Sequence, residues 1–152
     1  MNKSIATILV AGLVLSVGAH ELLAQDKAKV DELDKKADSI NATAKNPGKM
    51  KAAFQSISSE TGVPVDQVEH LHKNHPDAGP AGIMLACSMA DETKKSAGHF
   101  LDSRLSGKGW GAIAHDNKVS VDKLNERLDH MATYLASAPE KAENPKNTKE
   151  KK

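Results

Sequence analysis

From Ile57 onward one arrangement of apolar and polar positions occurs three times. The segments ISSETGVPVDQV from Ile57, MADETKKSAGHF from Met89 and IAHDNKVSVDKL from Ile113 are offset by 32 and then 24 residues, with no gap inside any copy. An apolar residue opens each copy (Ile57, Met89, Ile113) and a small one follows it (Ser58, Ala90, Ala114). Glu60-Thr61 falls on Glu92-Thr93 and on Asp116-Asn117, Pro64 on Ser96 and Ser120, and Val68, Phe100 and Leu124 close the copies. Each copy reads as the end of one helix, a tight turn and the start of the next. Gly62 suits the left-handed residue that ends many helices, a place Lys94 and Lys118 take with some strain. Ser96 and Ser120 are good N-caps, and Pro64 suits a helix start, where its missing N–H costs nothing. The pattern predicts helices over Lys49–Thr61, Val65–Lys73, Pro80–Glu92, Ala97–Leu105, Gly109–Asp116 and Val121–Ala136.

Upstream, Val30, Leu33, Ala37, Ile40 and Ala44 recur three and four residues apart, with Asp31–Lys35 and Glu32–Lys36 spaced for pairing on the opposite face. This predicts a charged amphipathic helix with a thin apolar stripe, serving as a short coiled-coil seam or docked on the domain; Asn46-Pro47-Gly48 is expected to end it. No stretch alternates as a half-buried strand would, and aromatic residues are only 3% of the chain, so the expected fold is all-α: short helices in tandem helix-turn-helix-like repeats.

The ends differ in kind. Lys3 precedes an uncharged apolar run, Ile5 to Val17, which is the form of a secretory signal and is shorter than the roughly 20 apolar residues of a membrane span. Cleavage is expected after Ala24, with Ala19 as the other site. The C-terminal stretch APEKAENPKNTKEKK holds two prolines, many lysines and no large apolar side chain, so a disordered tail is expected there. The resulting organisation is a signal peptide over 1–24, the amphipathic helix and linker over 25–48, a helical repeat domain over 49–136 and a Lys-rich tail over 137–152.

A helix-turn-helix pattern raises the question of DNA. The second helix of the third copy carries Asp122, Lys123, Glu126 and Arg127, whose charges cancel, and in the first copy Asp66 and Glu69 meet no cation before Lys73. A DNA reader needs cations facing phosphates. Over the whole chain 21 Lys and Arg balance 20 Asp and Glu, so no strong field steers the protein toward nucleic acid or lipid. The motif is therefore expected to be a packing unit, with membrane contact only through the signal. Cys87 is the single cysteine and excludes an intramolecular disulfide.

The segments SGKGWGAIAHDNKVSVDKL and ETGVPVDQV resemble a loose family of small exported bacterial helical proteins in which a GKGWGxIA segment follows a TG-[VL]-[PS]-V segment. The resemblance covers about Ile57 to Leu128 and implies an exported helical fold without an established activity. Lys118 departs from it, standing where the family pattern has Gly.

Candidate chemistry is sparse. His70, His72 and His75, flanked by Glu69 and Asp77, supply imidazole and carboxylate ligands of the kind zinc, copper or nickel accept. On a helix only His72 and His75 share a face, and a closed zinc site needs four ligands. Met84, Cys87 and Met89 form a softer set suited to Cu(I), or to ordinary core filling. Trp110, between Gly109 and Gly111, is the largest core candidate, with another helix expected to come close there. No phosphate loop or nucleophile elbow is present, and nothing in the sequence lowers the Cys87 thiol pKa, so no enzyme and no resident cofactor are expected. The reading is an exported, periplasmic or secreted, non-enzymatic interaction or structural protein whose partner is an envelope protein or surface. The alternative is transition-metal binding through His70, His72 and His75.

Overall fold

In the three repeated segments the local chemistry of the turns fixes the fold. The computed structural model describes residues 18–140, with side-chain surroundings from residue 28 apart from Val30. The expected signal run as far as position 17, and the expected tail from position 141, lie outside the described residues. Among those described there are seven α-helices, one short 3-10 turn and no strand: α1 (Gly18–Thr43), α2 (Pro47–Thr61), α3 (Val65–Asn74), the 3-10 turn Pro76–Ala78, α4 (Gly79–Thr93), α5 (Ala97–Leu105), α6 (Trp110–Asp116) and α7 (Val121–Ser137). The described helices include none long and apolar enough to cross a membrane.

The repeats are the corners α2–α3, α4–α5 and α6–α7. Gly62, Lys94 and Lys118 all adopt the left-handed conformation, with φ of 72°, 63° and 57°. Two lysines thus hold a backbone geometry that glycine takes freely. One residue ahead of each left-handed position the same side-chain bond recurs: Thr61 and Thr93 donate to the carbonyls of Ile57 and Met89 at 2.7 Å, and Asn117 Nδ2 to that of Ile113 at 2.7 Å. Ser96 and Ser120 accept from the N–H three residues on, at 3.3 and 3.4 Å, as N-caps do. Pro64 occupies the cap position itself, without a side-chain bond, one residue earlier than the first helical position proline favours. Val68, Phe100 and Leu124 are fully buried.

Asn46-Pro47-Gly48 begins a helix instead of ending one. Asn46 Oδ1 accepts from Lys49 N at 2.9 Å and Pro47 is the first residue of α2, so the segment caps the next element.

The core centres on α4, where every residue from Pro80 to Met89 is buried. A helix apolar on all sides has to be surrounded, and α1, α2, α3, α5 and α7 pack around it. The stripe of α1 docks on this domain: Leu33, Ala37, Ile40 and Ala44 belong to the same buried cluster as the repeats. Lys36 reaches across to Asp129 of α7 at 2.8 Å, and Lys29 to Asp122 at 2.9 Å, so these cations tie helices together in addition to any pairing along α1.

Two polar side chains of α1 finish other helices. Ala78 and Gly109 stand at the N-cap positions of α4 and α6 and supply no side-chain cap. Asn41 Oδ1 accepts from Ala81 N at 2.9 Å while its Nδ2 donates to Ala78 O at 3.1 Å. Asp34 Oδ1 accepts from Trp110 N at 3.1 Å and pairs with Arg104 Nη1 at 3.0 Å. Orphan N–H groups at helix starts need such partners, and here they come from a distant segment. Gly109 leaves room for the arrangement, because a Cβ there would lie 2.8 Å from Asp34 Oδ2. Gly82 does the same for Trp110, whose buried ring would be 2.9 Å from a Cβ on α4.

Candidate functional site

A concave feature with an apolar floor lies where the first two corners meet, between α3, the end of α4 and the start of α5. It is a groove of about 650 Å³. Val63, Leu71, Cys87, Ala90 and Ala97 form its floor; all but Cys87 are half-buried side chains packed on the core. Asp66, Gln67 and His70 line the α3 wall, and Lys95, Ser96 and Gly98 the α5 wall. An apolar base with a few polar groups at the edge is the composition of a ligand or partner site.

The walls follow from the corner chemistry. Pro64 starts α3 so that Asp66 falls in its first turn, where a carboxylate offsets the positive end of the helix. Ser96 caps α5 through His99 N, which sets Ala97 and Gly98 in its first turn. Lys95 Nζ donates to Asn117 Oδ1 at 2.7 Å.

Cys87 is 2% exposed, and burial pushes its thiol up to about 11. At neutral pH the group is a protonated thiol and a small apolar filler, without the thiolate character that nucleophilic or metal-binding cysteines require.

The three histidines of the EHLHKNHPD segment go to different surroundings. His70 is exposed on the groove wall, where Asn74 Nδ2 lies 3.2 Å from its Nδ1. His72 is half-buried against Phe54, with ring centroids 5.3 Å apart, and desolvation lowers its pKa. His75 ends α3, its N–H donating to Leu71 O at 2.9 Å. Among the described residues no three His, Cys, Asp or Glu side chains come together to hold a metal ion. Met84, Cys87 and Met89 are all core residues, Met84 and Met89 with no exposure.

A smaller polar cleft of about 180 Å³ joins α2 to α7, lined by Ser56, Ser59, Glu60, His130 and Tyr134 among others, with His130 Nδ1 3.3 Å from Glu60 Oε1. Beside it Arg127 donates to Glu60 O at 3.1 Å and to Ser88 Oγ at 3.3 Å. Arg127, one of the two cations named on this helix, is thus engaged within the fold. Asp122 is likewise paired with Lys29.

Residue patterning marked the histidines, which are neighbours in the chain, and missed the groove, whose walls come from three helices. A signal for the groove was nevertheless present, in the positions where the second copy departs from the other two.

The fold and the groove define an all-helical protein built from three tandem helix corners closed by an N-terminal helix. Comparison with protein-family models, with curated proteins and with solved structures finds no match for the chain.

Proposed function

We propose that this chain is an exported protein, periplasmic or secreted, with a non-enzymatic interaction role exercised through the α3–α5 groove. The observation that carries the reading is the groove itself: an apolar floor with a polar edge, roomy enough at about 650 Å³ for a small ligand or a partner's side chains. The protonated thiol in its floor favours binding over chemistry. Export rests on Lys3 followed by the Ile5 to Val17 run, and on the resemblance to exported helical proteins.

Two measurements test the proposal. Mass spectrometry of the protein from fractionated cells is expected to find a mature N-terminus at Gln25 or His20 outside the cytoplasm; an intact chain confined to the cytoplasm overturns the export. A photo-crosslinking residue at Gln67, on the groove wall, is expected to capture an envelope component that the same residue at the exposed Glu126 does not. Equal or no capture at the two positions overturns the groove as the contact surface.

A further inference from the structure

The three corners serve as internal controls for one another. At the seventh position of the repeat the first and third copies have Val63 and Val119, and the second has Lys95. At the ninth they have Val65 and Val121, and the second has Ala97. At the tenth they have Asp66 and Asp122, and the second has Gly98. Lys95, Ala97 and Gly98 all line the groove. The second corner has therefore exchanged a valine for a cation, trimmed another valine and dropped an acid, all at one surface.

Packing does not demand the glycine. A Cβ on Gly98 would meet only Ser96 Oγ, at 3.9 Å, and its φ is not in the left-handed region that favours glycine. A first-turn glycine also forgoes the stabilisation that Asp66 and Asp122 give α3 and α7. What the exchanges produce is charge. Among the described residues Lys95 has the neutral Asn117 oxygen as its partner and no carboxylate within ion-pair distance. Asp66 across the groove is offset by the start of its own helix. Lys95 also borders a neighbouring depression with Glu92 and Asp116, but these carboxylates pair with Lys123 and Lys108, which leaves the Lys95 charge to the α5 edge of the apolar floor.

Resting on the proposed binding role of this groove, we infer that its occupant is a small amphiphile: an apolar body lying on Val63, Leu71, Ala90 and Ala97, with one carboxylate head facing Lys95. The volume falls within the roughly 300–1,000 Å³ of small-molecule sites.

The test is calorimetric titration of the full chain with decanoate and, separately, with decyltrimethylammonium, which carries the same tail and the opposite head. Decanoate is expected to bind at a single site, the cationic amphiphile not to. Lys95→Met keeps the side-chain bulk and is expected to weaken decanoate by roughly tenfold, the loss of one charge-assisted bond. The combined change Lys95→Val, Ala97→Val and Gly98→Asp rebuilds the corner in the pattern of its sisters, residues this turn already accommodates twice, and is expected to abolish binding with helicity retained. Equal binding of the two heads overturns the inference, as does unchanged binding in the rebuilt corner or no heat with decanoate at millimolar concentration. If decanoate fails while crosslinking at Gln67 still captures a macromolecule, the ligand class is wrong and the groove's interaction role stands.

Discussion

Replacing Asp34 with Ala removes the acceptor for Trp110 N–H at 3.1 Å and the partner of Arg104 at 3.0 Å in one step. Loss of an N-cap costs about 1 kcal/mol. The ion pair, with side-chain exposures of 24% for Asp34 and 33% for Arg104, adds a few tenths to about 1 kcal/mol once solvent screening is allowed for. The sum is about 1.3–2 kcal/mol, which for a chain of this size lowers Tm by about 3–8 °C. Asp34→Asn keeps an acceptor and loses the charge, so it should cost less than about 1 kcal/mol. Gly109→Ala pushes a methyl group into the carboxylate and should be non-additive with Asp34→Ala, because both break the same contact. Thermal and urea unfolding of the three single variants and the double variant measure all of this. If Asp34→Ala costs under about 0.5 kcal/mol, or Asn is as damaging as Ala, the long-range cap contributes nothing and α1 is held by its apolar stripe alone.

Three further outcomes are expected. Lys94→Gly and Lys118→Gly should each raise stability by about 0.5–1 kcal/mol in urea unfolding, since relief of the left-handed strain exceeds the entropy glycine adds to the unfolded chain. Cys87, with its thiol near 11, should react with a disulfide reagent at pH 8 through roughly one molecule in a thousand, and denaturant should accelerate the reaction strongly. His72 has a lowered folded-state pKa, so the unfolded chain binds its proton first as pH falls below 6.5; stability should decline on acidification through that range, and His72→Gln should flatten that part of the profile.

The corners were legible because their chemistry is local. Gly62, Lys94 and Lys118 share one backbone conformation, and Ser96 and Ser120 cap the helices they precede, all within a dozen residues. Helix ends in the repeats followed for the same reason, with α5 falling on its expected bounds and α2, α3, α4, α6 and α7 within two residues, whereas α1 starts at Gly18, ahead of the expected 25–48 segment. Asn46-Pro47-Gly48 was ambiguous because the same residues stop one helix and start another, and only the Asn46 bond to Lys49 N decides between them. Asp34 and Asn41 read as surface polar residues of a charged helix, since their partners lie 76 and about 40 positions away. The groove was hidden for a like reason: it forms only when α3 and α5 are laid side by side on α4. Proximity along the chain pointed instead to His70, His72 and His75, which the helix sends to solvent, to Phe54 and to its own terminus.

The completion of α4 and α6 by Asn41 and Asp34 bears on the order in which the polypeptide can assemble. α1 precedes the other described helices in the chain and holds the finishing groups for segments made later, so a nascent chain lacking Trp110 has donors and acceptors waiting without counterparts. Closing loops of that length is slow relative to forming the local turns. A fragment beginning at Lys49, though it contains all three repeats, would lack both finishing groups and the apolar ridge beside them, and should emerge as a loosely packed species that recovers native order when a peptide spanning 25–48 is supplied in trans.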